Sequence, residues 1–234
     1  MALSVGSSVV TVHDKVGTGG TDTLSNVQKL QFSDQTTDLT WFTKSAALSA
    51  DQLQSLVEVY IASFNRAPDA FGLAYWGSRL KDGMSLPDIA KSFFVQPEAA
   101  AFYPAGQSTQ SFVSSVYGNV LDRGPDAPGL AYWVDGLQSG GVSKESFLLA
   151  IINGAKSFPD GPDVQTLANK TVVGEHFALT EGLSNIEWAK AVMAGVGGTA
   201  NSASAANSQT DSFAHAAADP GTSEFIIHIL GIAL

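Results

Sequence analysis

Apolar residues recur every three or four positions over most of the chain after about residue 50, which is the spacing of one face of an α-helix. Before about residue 42 the pattern is different. Short β-branched runs such as Val9, Val10 and Val12 alternate with glycine-rich turns, as in strands. The pattern predicts a mainly α fold, with tandem duplicated helical units in one helical bundle and a small N-terminal β flap.

A turn is repeated almost letter for letter after two of the predicted helices. Residues 66–76 read Arg-Ala-Pro-Asp-Ala-Phe-Gly-Leu-Ala-Tyr-Trp, and residues 123–133 read Arg-Gly-Pro-Asp-Ala-Pro-Gly-Leu-Ala-Tyr-Trp. Each preceding helix should stop at the proline, which cannot continue the hydrogen-bond ladder. The aspartate after the proline should N-cap a second helix. Gly72 and Gly129 should allow close approach of the backbone in the first turn of that helix.

Capping signals predict where the other helices begin. The predicted N-caps are Ser49, Ser85, Ser143, Asp163 and Ser184.

These signals divide the chain into three regions. We predict a β region over 1–44, a helical domain over 45–217 and a C-terminal tail over 218–234. Within the helical domain we expect one unit at about 49–104, its copy at about 108–158 and a third helical part at 163–217. The tail contains an apolar run at residues 224–230 that predicts a strand, which could join the flap.

Charge and composition exclude several classes of protein. Twelve Lys and Arg residues against 22 Asp and Glu residues give a net charge of −10, which disfavours nucleic acid as a partner. The chain has no cysteine, so disulfides and thiolate metal sites are excluded. We expect no membrane span, because no apolar run reaches about 18 residues. The first residues also lack the basic and apolar regions of a cleavable signal peptide.

The repeated turn, together with residues 167–174 and 188–196, resembles DUF4214, a bacterial domain of unknown function. The resemblance covers roughly residues 50–215. Members of that family often sit at the ends of RTX-type secreted proteins, S-layer-like proteins and adhesins, and beside glycan-modifying enzymes. The resemblance therefore implies a location at the bacterial surface or in the medium, and it carries over no catalytic residue.

Residues 19–34, Gly-Gly-Thr-Asp-Thr-Leu-Ser-Asn-Val-Gln-Lys-Leu-Gln-Phe-Ser-Asp, resemble the last turn of the calcium-binding RTX β-roll. RTX proteins are exported by type I systems, and the C-terminal tail resembles the uncleaved signals of such export substrates. Asp22, Asp34 and Asp38 are the candidate calcium ligands, because calcium binds several oxygen atoms. Two alternatives stay open, namely a flap that binds no ion and a tail that is an ordinary strand.

The charged residues of the repeated turn have two interpretations. Arg66 with Asp69, and Arg123 with Asp126, could form two anion or sugar sites related by the duplication. Alternatively, each arginine caps the last carbonyls of the helix before it and pairs with the aspartate.

The aromatic residues of the turn are equally ambiguous. Tyr75 with Trp76, and Tyr132 with Trp133, could be platforms on which a sugar stacks. Because neighbouring residues on a helix point about 100° apart, one member of each pair must leave the core unless the helix is buried on most of its sides. We expect the tryptophans in the core and the tyrosines partly exposed.

Other chemistries find little support in the sequence. The histidines at positions 13, 176, 215 and 228 show no metal-ligand spacing, so a zinc site is not predicted. There is no Gly-x-Ser-x-Gly elbow and no P-loop lysine. The sequence therefore does not predict an enzyme.

Our first hypothesis is a non-catalytic extracellular or cell-surface structural or adhesive module, exported by a type I system. The alternative is a small glycan-binding module that uses the duplicated Tyr-Trp turns. A surface glycan or another surface protein is the expected partner, and the tail strand could allow self-association.

Overall fold

Helices dominate the part of the chain that the computed structural model describes, namely residues 1–5, 9–17, 19–33, 36–222 and 224–229. A π-helical segment, His176–Thr180, is called the π turn below. The mainly α fold predicted from the sequence is confirmed. The α-helices of the described residues are α1 (Thr40–Ala46), α2 (Ala50–Phe64), α3 (Ala70–Lys81), α4 (Leu86–Phe94), α5 (Ala99–Phe102), α6 (Thr109–Leu121), α7 (Ala127–Gln138), α8 (Lys144–Lys156), α9 (Pro162–Glu175), α10 (Ile186–Met193) and α11 (Ala200–Ala218).

The strands form a flap at one side of the helices. They are β1 (Ala2–Val5), β2 (Val9–His13), β3 (Thr21–Ser25), β4 (Lys29–Gln31), β5 (Thr36–Asp38) and β6 (Ile226–Ile229). β6 lies parallel to β1, and the β1–β2 and β2–β3 pairs are antiparallel, giving a sheet of order β3-β2-β1-β6. β4 and β5 form a separate antiparallel pair. The predicted joining of the flap by the C-terminal strand is therefore confirmed.

Most predicted helix starts are confirmed by their N-cap hydrogen bonds. The side chains of Ser49, Ser85, Ser143, Asp69 and Asp126 each accept a bond from the backbone N–H three residues on.

Two predicted caps are wrong. Asp163 lies in the first turn of α9, because Pro162 fits the first helical position and Gly161 becomes the N-cap. At the start of α10 the N-cap is Asn185 in place of Ser184, and its side chain accepts a bond of 3.1 Å from the backbone N–H of Trp188.

The helices before the two turns end earlier than the prolines. α2 ends at Phe64 because Asn65 adopts the left-handed conformation, with φ of 48°. α6 ends at Leu121 because Asp122 does the same, with φ of 55°. A left-handed residue terminates a helix without help from proline, so the predicted stop at the proline is displaced by a few residues.

The two copies of the unit are buried to different extents. α2 lies at the centre of the bundle, and all its residues from Leu56 to Phe64 are buried. α1 and the flap cover α3, where Leu39, Phe42 and Ala74 share one buried cluster with the strands. In contrast, none of the twelve residues of α7 is fully buried. The first repeated turn is therefore enclosed by other elements, and the second lies at the surface.

Candidate functional site

The first repeated turn holds its backbone with the capping aspartate. Asp69 Oδ1 accepts a hydrogen bond of 2.7 Å from the backbone N–H of Gly72. Tyr60, which is buried, lies directly beneath this turn, and a Cβ on Gly72 would overlap its hydroxyl group. The glycine is therefore required by the close approach that the sequence predicted.

All five N–H donors of Arg66 are engaged within the protein. Nε and Nη2 donate to the two carboxylate oxygens of Glu98, at 2.7 and 3.0 Å. Nη1 donates to the carbonyl of Ala67 at 2.8 Å, and both terminal nitrogens donate to Asp69 at 3.4 Å. The arginine side chain is only 4 % exposed. Burial alone would lower the pKa of Arg66, but the Glu98 and Asp69 carboxylates raise it above its ordinary value. The guanidinium is thus a charged structural group with no donor left for an anion.

These contacts support the structural interpretation of the charged residues over an anion site, but they correct its account of which carbonyl the arginine binds. The predicted Arg66–Asp69 pair forms. The predicted capping of the preceding helix is wrong in both copies, because Nη1 of each arginine donates to the carbonyl of the residue that follows it, Ala67 or Gly124.

An open cleft of about 390 Å³ lies beside the Arg66–Glu98 pair. Aromatic rings form one side of it, and polar groups lie at its rim. We call it the aromatic cleft, and it is lined by Tyr60, Phe64, Arg66, Tyr75, Trp76, Gln96, Pro97 and Glu98.

The two rings contributed by α3 are held firmly in the aromatic cleft. Tyr75 and Trp76 meet edge to face, with ring centroids 5.0 Å apart. Trp41 of α1 packs edge-on against Tyr75 at 5.0 Å, and the Arg79 guanidinium lies 4.9 Å from the centre of the same ring. Trp76 packs against the buried Phe93 at 5.0 Å. Both rings are therefore half-buried and fixed before any ligand arrives.

The rim of the aromatic cleft offers hydrogen-bonding groups. The Glu98 side chain is 29 % exposed. Each of its oxygens accepts one bond from Arg66, and a carboxylate oxygen can accept a second. The exposed Gln96 adds an amide at the same rim. The cleft can therefore accept hydrogen bonds from hydroxyl groups of a ligand.

The second repeated turn keeps the local geometry and differs in its partners. Asp126 caps α7, accepting a bond of 2.7 Å from the backbone N–H of Gly129. Nε and Nη2 of Arg123 donate to the carboxylate oxygens of Asp163 in α9, at 2.7 and 2.6 Å. The predicted salt bridge between Arg123 and Asp126 is not among the ion pairs of the described residues. The reason is that α9 begins beside Arg123, whose side chain is 45 % exposed.

The tyrosines of both turns are at least partly exposed, as expected, but the expectation of tryptophans within the core is wrong in both copies, because Trp76 and Trp133 are only partly buried and pack against the core from its edge. Trp133 packs against Phe147 with centroids 5.0 Å apart, whereas the Tyr132 side chain is 67 % exposed. α7 has no counterpart of Trp41 against its tyrosine among the aromatic contacts of the described residues. The duplicated motif therefore forms the wall of a cleft in the first copy and an exposed surface in the second copy.

The candidate calcium ligands lie in different settings. Asp22 is exposed in β3. Asp38 is the last residue of β5 and pairs with Lys29 of β4. Its Oδ1 accepts bonds from the backbone N–H and the hydroxyl of Thr40, at 3.0 and 2.6 Å. Asp34 lies outside the described residues. Calcium binding by these residues stays a prediction.

The structure also brings together three side chains that the sequence analysis missed. Atoms of His176, Glu181 and Asp211 that could bind a metal lie within 4.8 Å of one another, and neither Asp22 nor Asp38 belongs to this group. Their separations along the chain match no ligand motif, so only the tertiary structure reveals them.

Comparison with known protein families supports one part of the sequence-based resemblance. Residues 90–156, which include the second repeated turn, match the family described as Domain of unknown function (DUF4214). This confirms the predicted resemblance for that segment, which is less than half of the chain. No curated protein and no solved structure matches the chain. Within the described residues, we find no helix with the length and apolar character needed to cross a membrane.

Proposed function

We propose that the protein is a non-catalytic binding module of the bacterial surface or medium, and that its aromatic cleft holds a neutral carbohydrate. The observation that carries the proposal is the aromatic cleft itself, where Tyr75 and Trp76 stand beside the partly exposed carboxylate of Glu98. Binding sites for small molecules commonly combine such an apolar wall with a few fixed polar groups.

The charges in the cleft favour a neutral ligand over an acidic one. Arg66 is the basic residue of the lining, and its five donors are already used by Glu98, Asp69 and Ala67. The free lone pairs belong to Glu98, which would repel a carboxylate or sulfate. The net charge of −10 acts in the same direction. Sugar hydroxyls can donate to Glu98 while the apolar face of the ring lies against an aromatic side chain.

A glycan array with matched neutral and acidic sugars tests this proposal, followed by titration of tryptophan fluorescence. The unmodified protein should bind neutral sugars, and Tyr75→Ala should weaken binding by about tenfold, a loss of about 1.4 kcal/mol. Gln96→Ala should weaken binding too, and this side chain is exposed, so its loss should leave the fold intact.

Tyr132→Ala is the matched control, because it removes the exposed tyrosine from the same position of the other turn. It should leave binding unchanged. The proposal is wrong if no neutral glycan binds, or if Tyr132→Ala weakens binding as much as Tyr75→Ala does.

The location at the surface, the structural or adhesive role and export by a type I system rest on the family resemblance and the tail sequence. A direct test compares the full-length chain with one lacking residues 222–234, in the native host with and without its type I exporter. Export should require both the tail and the exporter. Leu3→Asp serves as a control, since Leu3 is fully buried beside β6 and its replacement disrupts the same sheet without altering the tail. Retention of the full-length chain inside cells that carry the exporter would overturn the proposed location.

A further inference from the structure

The π turn brings two side chains of kinds that bind metal ions, those of His176 and Glu181, to one side of the chain. Residues five apart point about 140° away from each other in an α-helix, because each residue advances by about 100°. Here the backbone N–H of Glu181 donates to the carbonyl of His176 at 2.9 Å, so the turn is widened to five residues. The widened turn brings His176 and Glu181 to the same side of the chain, and their ligand atoms lie within 4.8 Å of each other.

Helix α11 supplies the third side chain to this face. Asp211 Oδ1 lies 2.6 Å from His176 Nε2, and the ligand atoms of His176, Glu181 and Asp211 all lie within 4.8 Å of one another. The His176 side chain is 21 % exposed and that of Asp211 is 61 % exposed, so the group opens to solvent. An ion could enter it without unfolding any element.

A polar oxygen one helical turn away lacks a partner. Asn207 precedes Asp211 by four residues on α11, a spacing that places both on the same face of the helix. Its Oδ1 atom is buried and has no hydrogen-bond partner within the described residues. A buried oxygen without a partner is costly for the fold, and an ion or a water molecule bound nearby would relieve that cost.

From this geometry we infer that His176, Glu181 and Asp211 form a binding site for a divalent transition-metal ion. Zinc bonds to imidazole nitrogen and carboxylate oxygen at about 2.0–2.2 Å, which separates neighbouring ligands by about 3.3 Å in a tetrahedral site. The ion would take the place of the hydrogen bond between His176 Nε2 and Asp211 Oδ1, and those two atoms would move apart by less than an ångström. Glu181 would close on the ion from its present place within 4.8 Å.

The donor set distinguishes a transition metal from calcium. Calcium takes six to eight oxygen ligands, whereas one imidazole and two carboxylates suit zinc or manganese. Three protein ligands leave a coordination position open for water. The site is independent of the aromatic cleft, so either proposal can fail alone.

Isothermal titration of the full chain with zinc, and separately with manganese and calcium, tests the inference. Zinc or manganese should bind with a stoichiometry of one. Asp211→Asn and His176→Ala should each weaken that binding by about tenfold or more. Asp211→Asn is the safer variant, because an exposed amide can still hydrogen-bond to His176.

The control is His13→Ala, which removes an exposed histidine of β2 far along the chain from the group. It should leave metal affinity unchanged, and circular dichroism should show each variant folded. The inference is overturned if neither zinc nor manganese binds saturably, if calcium alone does, or if Asp211→Asn binds zinc as tightly as the unmodified chain. In addition, the visible spectrum of cobalt should change on binding to the unmodified chain, and Asp211→Asn should need a higher cobalt concentration for the same change.

Discussion

Removing the carboxylate partner of the arginine should affect stability far more in the first repeated turn than in the second. The paired variants are Glu98→Ala and Asp163→Ala. Both delete a carboxylate that receives two bonds from the arginine of the motif. They differ in burial, since the side chain of Arg66 is 4 % exposed and that of Arg123 is 45 % exposed.

The expected losses in the free energy of unfolding follow from that difference in burial. Leaving a buried charge without its partner costs about 3–5 kcal/mol. Glu98 is itself partly exposed and Asp69 remains near Arg66 at 3.4 Å, so we expect the loss for Glu98→Ala to be about 2–3 kcal/mol. An exposed pair contributes about 0–1 kcal/mol. Asp163 also lies in the first turn of α9, where a negative charge adds up to about 1 kcal/mol. The loss for Asp163→Ala should therefore be about 1 kcal/mol.

Urea denaturation followed by circular dichroism measures both free energies of unfolding under the same conditions. Glu98→Gln is a useful third variant, because it keeps the shape and removes the charge, and it should fall between the unmodified chain and Glu98→Ala. Equal losses in Glu98→Ala and Asp163→Ala, or a larger loss in Asp163→Ala, would refute the reasoning that burial separates the two copies.

Three further predictions concern other positions. Gly72→Ala should destabilise the protein by about 1–2 kcal/mol, because the new methyl group overlaps the hydroxyl of the buried Tyr60 as well as the capping carboxylate of Asp69. In Gly129→Ala the methyl group meets the capping carboxylate of Asp126 but stays 3.5 Å from the Tyr117 hydroxyl, so the loss should be smaller than for Gly72→Ala in the same urea assay. Burial lowers the pKa of Lys170, so the folded state loses this proton at lower pH than the unfolded state does. The free energy of unfolding of the unmodified chain, measured relative to Lys170→Met, should therefore rise as pH increases towards about 10.4. A flat difference from pH 8 upwards would contradict this. Lys15→Ala should speed amide hydrogen exchange in β6 with little change in α2, because the lysine donates to carbonyls at the end of α11 and in the tail. Equal changes in β6 and α2 would show that Lys15 does not stabilise the tail locally.

The sequence determined the features that depend on residues close together in the chain. The caps at Ser49, Asp69 and Asp126 could be predicted because an N-cap side chain needs only a backbone N–H three residues away. The motif also predicted a close approach at Gly72, but only the structure shows that the approaching group is the hydroxyl of Tyr60. Where prediction failed locally, as at Ser184 and Asp163, a neighbouring residue competed successfully for the same role.

The tertiary structure alone decided how two nearly identical turns came to differ. Arg66 finds its main partner 32 residues away in Glu98, and Arg123 finds its partner 40 residues away in Asp163. Trp41 covers Tyr75, while Tyr132 stays exposed. The repeated letters contain no information on which copy the flap and α1 will cover, since that depends on how distant surfaces fit together.

The candidate metal site shows the same contrast between what the local sequence determines and what only the tertiary structure decides. A five-residue spacing is meaningless for ligands on an α-helix, and it becomes meaningful only when the backbone widens into a π turn between His176 and Glu181. Asp211 then arrives from a helix 30 residues further along. Local hydrogen bonds are determined by the sequence near them, whereas the convergence of side chains on one site depends on packing over the whole chain.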